Sequence, residues 1–175
     1  MKVIMYMAMS ANGIIARENG QEDLFSDYGW WSFKKLSEQH GCFIIGRKTF
    51  DSCKKYYKNY SLKDVKSRRI IVSKNTNFMP DGFEVVNSPL NALKKVTKFG
   101  LKSCILCGGG INNSSFMNVG LVDEIILDVE PVVVGKGIHL FAESKFENNL
   151  DLIGSKKLKK GIVRLHYRVL ERRTK

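Results

Sequence analysis

Two short segments of the sequence combine glycine, positive charge and hydroxyl groups at the end of an apolar run. The first is Gly46-Arg47-Lys48-Thr49, which follows the apolar residues 43–45 and opens a helical pattern. A glycine lets the chain turn out of a strand, and the helix that follows offers unpaired N–H groups and the positive end of its dipole. This pattern favours an anion site, although a short helix with solvated basic residues has the same signature.

The second segment is the glycine triplet 108–110, between the strand predicted over residues 103–107 and a short helix. Consecutive glycines allow a ligand to approach the backbone closely, and a plain tight turn is the alternative. Both segments leave the carboxyl ends of predicted parallel strands, where open α/β sheets bind ligands, so together they could hold one elongated diphosphate molecule. Ser73 and Lys74 follow another strand and could bind a further phosphate, or lie on the surface without a ligand.

The elements that must position these segments alternate between strand-length apolar runs and helical patterns. This order predicts one α/β domain over residues 1–175, with three layers: a mostly parallel central sheet, flanking helices and a C-terminal antiparallel hairpin. Strands are predicted over residues 2–9, 14–16, 42–45, 69–73, 84–86, 103–107 and 123–130, with the hairpin over 150–160 and 162–170. Helices are predicted over 30–40, from 46 onward, from 89 to about 100 and over 111–119, and the lysine-rich stretch 54–69 is predicted to be an exposed loop.

The charge of the chain points to an anionic partner without naming it. The 175 residues carry 29 Lys and Arg against 17 Asp and Glu, a net charge of +12, while 43% hydrophobic residues exclude a disordered chain. The lysines are spread along the chain, and the sequence has neither an RNA-recognition aromatic motif nor a helix-turn-helix. A basic nucleic-acid-binding protein is therefore only the alternative of another class, and we expect neither a nucleic-acid partner nor a membrane span.

The four cysteines indicate a reducing, cytoplasmic setting because they are too few for a disulfide scaffold. Cys104 and Cys107 match a C-x-x-C pattern, but they lie in a predicted strand, where a spacing of three places the side chains on opposite faces. We therefore expect neither redox chemistry nor a metal site.

Several segments, in a fixed order, carry a resemblance to a known family. They are residues 44–50, 100–110, 120–125 and 130–141. With them the chain resembles the dihydrofolate reductase superfamily, and within it the branch of the riboflavin-biosynthesis reductase domain, over about residues 2–170. The resemblance implies a dihydrofolate reductase-like fold, NADPH as hydride donor and a homodimer.

The resemblance also implies a cofactor site. The first glycine segment matches the part that holds the adenosine-side phosphates, and the serine–lysine pair matches the strand end that reads the 2′-phosphate. The triplet matches the turn beneath the pyrophosphate and nicotinamide, and two apolar residues match the positions beside the ring. The implied cofactor residues are Ala8, Ile15, Gly46, Arg47, Lys48, Thr49, Ser73, Lys74, Gly108, Gly109 and Gly110.

The chain departs from the family pattern in its acidic residues. Dihydrofolate reductases carry an acid in the first helix, whereas here Gly29 or Trp30 lies near that place. The candidate catalytic acids are Asp27, which could instead cap the helix, and Asp128, which could instead lie exposed on an open face. In the riboflavin branch an acid commonly precedes the glycine triplet, but Cys107 occupies that position here.

The sequence therefore predicts an NADPH-dependent reductase acting on a small heterocyclic or carbonyl substrate. The riboflavin-precursor type, 5-amino-6-(5-phosphoribosylamino)uracil, is the expected substrate, and dihydrofolate reductase is the alternative, weakened by the missing helix acid. Asn12, Trp30 and Phe33 are expected on the substrate side. Of the adjacent Trp30 and Trp31, one is expected to pack in the core and the other to stack on a heterocycle.

Overall fold

The fold is built from ten strands and four helices in a computed structural model that describes residues 1–56, 62–75 and 77–170. The strands are β1 (Lys2–Ser10), β2 (Ile14–Ala16), β3 (Cys42–Gly46), β4 (Arg68–Val72), β5 (Glu84–Val86), β6 (Ser103–Leu106), β7 (Glu124–Glu130), β8 (Ile138–His139), β9 (Leu150–Lys157) and β10 (Val163–Val169). The helices are α1 (Asp27–His40), α2 (Arg47–Tyr56), α3 (Pro89–Lys98) and α4 (Gly110–Asn118).

Eight of these strands form one sheet in the order β5-β4-β3-β6-β1-β7-β10-β9. The strands from β5 to β7 pair in parallel, while β10 runs antiparallel to both β7 and β9. This architecture confirms the predicted parallel sheet with a C-terminal antiparallel hairpin. The strand pair β2–β8 forms a second, small sheet, of which only β2 was predicted.

Two apolar layers cover the sheet because alternate residues of a strand point to opposite faces. In β1, Val3 and Met5 pack with residues of α3 and α4, whereas Ile4 and Tyr6 pack with Phe33 of α1. All four β1 side chains are buried. The helices therefore lie on both faces, which gives the three layers that the sequence predicts.

Two predicted boundaries are wrong, each for a tertiary reason. Helix α1 begins at Asp27 and not at residue 30, and Ser26 stands at its N-cap without capping it, because the Ser26 hydroxyl donates to Glu130 Oε1 at 2.9 Å. The stretch 54–69 is not simply an exposed loop: α2 continues to Tyr56, and Leu62 and Val65 are buried. Residues 57–61 of that stretch lie outside the described residues.

The cysteines are free thiols, and two of them are neighbours in the sheet. The parallel register pairs Phe43 of β3 with Ile105 of β6, so Cys42 and Cys104, one residue earlier in each strand, lie side by side. Both are fully buried, and burial raises the pKa of the Cys42 thiol to about 12. Within the described residues, no helix combines the length and the apolar character needed to cross a membrane.

An ion pair joins the hairpin to the parallel part of the sheet. Asp128 of β7 faces Arg164 of β10 in the antiparallel register, and its side chain is completely buried. The Asp128 carboxylate accepts from Arg164 Nε and Nη2, each at 2.7 Å, and from the Tyr6 hydroxyl at 2.8 Å. Arg164 Nη2 also donates to Ser32 of α1 at 2.7 Å. The hydrogen bonds from Arg164 to Asp128 raise the pKa of the guanidinium.

Substitution of Arg164 by methionine tests this ion pair. An unpaired buried carboxylate is costly, so Arg164→Met should lower the free energy of unfolding by about 3 kcal/mol, measured by urea denaturation. Breaking a buried ion pair costs about 3–5 kcal/mol. We expect the lower value because 25% of the Arg164 side chain is exposed to solvent. Asp128→Asn in the same variant should recover part of the loss, since the amide carries no charge.

The matched control is Arg168→Met, because Arg168 forms an exposed pair with Asp151 on the same hairpin. Exposed pairs contribute about 0–1 kcal/mol, so this variant should stay close to the wild type. Equal losses for the two arginine variants would contradict a special role of the buried pair.

Candidate functional site

The two glycine segments meet at the carboxyl edge of the sheet. Strands β3 and β6 are parallel neighbours, and their extensions are joined by a hydrogen bond from Gly46 N to Gly108 O at 2.8 Å. A second bond runs from Cys107 N to Ile44 O at 2.9 Å. The backbone of Gly109 lies beside the Thr49 hydroxyl, which would be 3.1 Å from a Cβ built on that glycine. The two glycine segments, 46–49 and 108–110, therefore form one continuous surface, and we call them the first and the second cradle.

Buried asparagines at the start of α4 hold the triplet in place. Asn112 Nδ2 donates to Gly108 O at 3.0 Å, and Asn113 Oδ1 accepts from Gly108 N at 3.2 Å. Asn113 also donates to Leu140 O at 2.9 Å, which ties the triplet to the segment after β8. The Gly108–Gly109 peptide is cis. The asparagines were not predicted, because a polar residue on a short helix gives no sequence signal of burial.

The triplet is glycine for reasons of space and backbone conformation. Gly108 adopts a φ of +77°, which favours glycine, and lies against the Met7 side chain. A Cβ on Gly110 would collide with the carbonyl oxygen of His139. Packing against β1 and against the segment after β8 therefore requires glycine at both positions.

The anion-binding capacity of this edge comes mainly from helix starts. Helices α2 and α4 both begin here, and the N–H groups of a first turn have no acceptor within their own helix. Arg47 is partly engaged, since its Nε donates to both Asp51 carboxylate oxygens at 2.9 and 2.8 Å and its guanidinium covers the Phe78 ring. Lys48 and Lys74 are exposed.

The predicted pair Ser73 and Lys74 lies at the end of β4, close to the same edge. Ser73 is buried, and its Oγ accepts from Asn75 N at 3.1 Å, so the hydroxyl already stabilises the local turn. The exposed Lys74 ammonium is the member of the pair that remains accessible to a ligand. Both remain predicted cofactor residues.

The apolar positions predicted beside the nicotinamide lie on β1 and β2. Ala8 is half-buried near the end of β1, opposite Asp128 of β7, and Ile15 is buried in β2. Gly29 of α1 packs so closely on Ala8 that an added Cβ would lie 3.2 Å from the alanine methyl. The helix therefore has little room for a side chain at residue 29, one of the two positions near the place of the helix acid that the resemblance implies.

The two predicted acids occupy different environments. Asp27 is exposed in the first turn of α1, where the helix dipole favours a negative charge. Asp128 is held as an acceptor by Arg164 and Tyr6, and burial is the largest cause that raises the pKa of the Tyr6 hydroxyl, followed by the Asp128 charge. The catalytic roles of both acids stay predictions.

The residues predicted on the substrate side also differ in accessibility. Phe33 is buried with its ring edge-on to Phe43, so it belongs to the core, and Trp30 is half-buried against Phe33. Trp31 is 67% exposed. Asn12 is exposed in the turn after β1, where its amide nitrogen donates to Val134 O at 2.8 Å. Of the three residues predicted on the substrate side, Trp30 and Asn12 keep surface that a ligand could reach, and Phe33 does not.

An acid that sequence reasoning missed lies in the segment of residues 17–26 between β2 and α1. Glu22 is half-buried, and burial raises the pKa of its carboxyl to about 7. Its charge in turn raises the pKa of the Cys53 and Cys107 thiols. The segment has no hydrophobic periodicity, so nothing in the sequence indicates where Glu22 lies.

Comparison with known sequences assigns the chain to a family. Residues 1–164 match the family model described as the RibD C-terminal domain. The chain is 27% identical to the uncharacterized protein YyaP of Bacillus subtilis (strain 168), over 95% of this chain and 94% of YyaP. It is 29% identical to YwjB of the same strain, over 95% of this chain and 97% of YwjB.

Solved structures with low sequence identity share the fold. A pyrimidine reductase-like protein from Corynebacterium diphtheriae superposes with a TM-score of 0.78 at 16% identity, covering 98% of this chain and 92% of that one. Dihydrofolate reductase from Enterococcus faecalis, complexed with NADP(H), gives 0.72 at 15% identity and 97% coverage of both chains.

A third structure is longer than this chain. It is the diaminohydroxyphosphoribosylaminopyrimidine deaminase/5-amino-6-(5-phosphoribosylamino)uracil reductase from Thermotoga maritima, with a TM-score of 0.72 at 14% identity, and 97% of this chain covers 56% of it. The match over residues 1–164 shows that the chain belongs to the RibD C-terminal domain family, and the solved structures show that it shares the dihydrofolate reductase-like fold.

Proposed function

We propose that this protein is an NADPH-dependent reductase that transfers a hydride to a heterocyclic or carbonyl substrate of the riboflavin-precursor type. The observation that carries the proposal is the junction of the two glycine segments, where the β3 and β6 extensions meet beside the starts of α2 and α4. This junction offers glycine backbone and the first-turn amides of two helices, which have no acceptor within their own helix, and this combination suits a diphosphate. We also propose a cytoplasmic location, because the cysteines are free thiols.

The residues at the junction fit a nicotinamide dinucleotide. A Cβ on Gly109 would lie 3.1 Å from Thr49 Oγ1, so glycine lets the triplet backbone lie directly against the Thr49 hydroxyl. The first-turn amides of α4 and the exposed Lys48 and Lys74 would hold phosphates, and Ala8 would form an apolar wall against the ring. When bound, the cofactor would supply the hydride. The basic side chains favour NADPH over NADH because the 2′-phosphate adds negative charge.

Thermal unfolding in the presence of NADPH tests the cofactor. A ligand that binds only the folded protein stabilises it by about 2.7 kcal/mol at a concentration of 100 Kd, so NADPH should raise the melting temperature. NADH at the same concentration should give a smaller shift. No shift at millimolar NADPH would contradict the proposal.

The same preparation tests the substrate, through steady-state oxidation of NADPH. We expect turnover with 5-amino-6-(5-phosphoribosylamino)uracil to exceed turnover with dihydrofolate, because Gly29 or Trp30 lies near the place of the helix acid that the resemblance implies. Faster turnover of dihydrofolate would instead favour dihydrofolate reductase, the alternative activity.

Substitution of Gly109 by alanine tests the site itself. The added methyl group would press on Thr49 and occupy the space between the two cradles, so the Kd for NADPH should rise at least about tenfold, a loss of about 1.4 kcal/mol. The matched control is Gly135→Ala, since a Cβ on Gly135 meets nothing within 4 Å. Titration of NADPH fluorescence measures both variants, and unchanged affinity in Gly109→Ala would contradict the assignment.

We further propose a homodimer that forms through the exposed strand β9, with a second copy of this chain as the partner. Strand β9 lies at the edge of the sheet and exposes Leu150, Leu152 and Ile153 by 41, 53 and 38%. In an antiparallel pairing of β9 with its own copy, centred between Ile153 and Gly154, Asp151 of each strand faces Lys156 of the other. The edge is therefore complementary to itself in charge.

Light scattering after size exclusion tests the dimer with one substitution on the strand. The wild type should have twice the mass of the chain. Leu152→Lys should shift it to the monomer, because the substitution places a lysine of each copy in the apolar patch that the dimer must bury. The control is Leu90→Lys on α3, where the leucine is 57% exposed. Helix α3 packs on β4 and β5, at the end of the sheet opposite to β9. A monomeric wild type, or a dimer that survives Leu152→Lys, would contradict the interface.

A further inference from the structure

A cavity of about 530 Å³ opens at the amino edge of the sheet, and we call it the amino-edge cavity. Its lining includes Gly41, directly before β3, Leu101, shortly before β6, and residues 65–69, which lead into β4. These strands run in parallel from this edge to the opposite one, and the five residues of β3 span about 16 Å. The cavity is therefore separate from the surface that the two cradles form.

The lining of the amino-edge cavity is basic. Lys66, Arg68 and Arg69 contribute to it, and both Lys66 and Arg68 are exposed. Of the acids near this stretch, Glu38 accepts from Lys66 N at 3.1 Å and Asp64 is exposed, but neither lines the cavity. The cavity consequently attracts anions. Its cations come from the lysine-rich stretch, whose charge the proposed cofactor site leaves unexplained.

Arg68 differs from the other arginines in the part of the chain that the structure describes. Ion pairs with carboxylates engage Arg17, Arg47, Arg164 and Arg168. Arg69 donates to the carbonyl oxygens of Val65 and Gly82. The Arg68 guanidinium has no acceptor among the described residues, and its carbon lies over the Phe99 ring, 5.1 Å from the centroid. Its planar set of N–H donors is therefore available to a ligand and matches the oxygens of a phosphate.

The Ser67 hydroxyl is a second group that suits a phosphate oxygen. Ser67 lines the cavity, and its Oγ is buried without a hydrogen-bond partner in residues 1–56, 62–75 and 77–170. A buried hydroxyl that makes no hydrogen bond is costly, and an anionic ligand in the cavity would supply an acceptor. This observation is independent of the charge of the lining.

Apolar side chains complete the lining. Phe99 and Leu101 are half-buried, and Val65 is fully buried. The Lys95 Nζ lies 6.0 Å from the Phe99 ring centroid, but it is already paired with Glu84 at 2.8 Å. Sites for small organic molecules combine apolar walls with a few polar groups, in volumes of about 300–1,000 Å³. The amino-edge cavity has this composition and size, so it suits a phosphate that carries a flat apolar group.

We propose that the amino-edge cavity binds an aromatic organic phosphate of the nucleoside monophosphate class, at a site distinct from the cofactor site. The Arg68 guanidinium and the Lys66 ammonium hold the phosphate, and the Ser67 hydroxyl donates to one of its oxygens. The base packs on the Phe99 ring. This inference goes beyond the proposed function and does not depend on it.

Isothermal titration calorimetry with AMP as the probe tests the site. The wild type, saturated with NADPH so that the cofactor site is filled, should bind a single AMP. Arg68→Met should raise the Kd for AMP at least about tenfold, because the phosphate loses its bidentate partner, and Arg68→Lys should restore part of the affinity. The matched control is Arg168→Met, which removes the same charge near the opposite end of the sheet and should leave the Kd unchanged.

Two further probes separate the parts of the ligand. Adenosine lacks the phosphate, so it should bind the wild type at least about tenfold more weakly than AMP and should not distinguish Arg68→Met from the wild type. Ribose 5-phosphate lacks the base. Phe99→Leu removes the ring but keeps an apolar side chain, so it should weaken AMP binding and leave ribose 5-phosphate binding unchanged.

The folded state of the variants is checked by thermal unfolding. Arg68→Met should keep the melting temperature of the wild type, because Arg68 is exposed and no described residue accepts from its guanidinium. Lys66→Met, at the other exposed cation of the lining, should also raise the Kd for AMP. The proposal is therefore still tested if one of the two variants folds poorly.

The outcomes separate this site from the cofactor site and from diffuse charge. No saturable binding of AMP at millimolar concentration, or an unchanged Kd in Arg68→Met, would overturn the proposal. Equal losses in Arg68→Met and Arg168→Met would also overturn it, because they would indicate general attraction of anions. Displacement of AMP by NADPH would place AMP at the cofactor site, with the same consequence. If NADPH does not bind, the proposed function fails, whereas the AMP titrations of the arginine variants still decide this proposal.

Discussion

A buried carboxylate in β7 constrains the elements around it. Removing Asp128 from water costs several kcal/mol, and only close, well-aligned donors can offset this cost. Arg164 supplies two donors only because the antiparallel register places it opposite Asp128. Tyr6 supplies a third from β1, and Ser32 binds the same guanidinium from α1. The hairpin, the central strand and the first helix are thus positioned by one charge.

The helix that this network positions also delimits the candidate site. The Tyr6 hydroxyl lies 3.1 Å from Gly29 O, and Gly29 in turn packs on Ala8. Helix α1 can approach β1 this closely only because residue 29 has no side chain. A longer side chain at residue 29 would push the helix away from the sheet. The close packing of Gly29 on Ala8 and the buried ion pair are therefore linked, because the Tyr6 hydroxyl contacts both Gly29 O and Asp128.

The parts of the fold that depend on local pattern were predictable from the sequence. Apolar runs identify the buried parallel strands, and Ser88 with Pro89 identifies the start of α3, where the Ser88 hydroxyl accepts from Asn91 N. The glycine triplet identifies the junction with the first cradle, because it marks a turn between a strand and a helix at the carboxyl edge of the sheet. These signals rest on residues that are close in sequence.

The parts that depend on contacts between distant residues were not predictable. Ser26 resembles a helix cap, yet its hydroxyl binds Glu130, which is 104 residues away. Asn113 holds the triplet through a bond to Leu140. Long-range hydrogen bonds leave no periodic pattern in the sequence. The sequence therefore predicts where the candidate site lies but not all of the residues that form it.

The rate at which a reagent labels the buried thiols would measure how often different parts of the folded protein open. Cys42 and Cys104 lie side by side in the centre of the sheet, whereas Cys53 lies on α2 at the edge of the candidate site. A thiol reagent can reach the central pair only when the apolar layer that α3 and α4 form over that face of the sheet opens. It can reach Cys53 when α2 or the segment that covers it moves. The labelling rates of these cysteines would therefore distinguish fluctuations of the site from unfolding of the whole sheet.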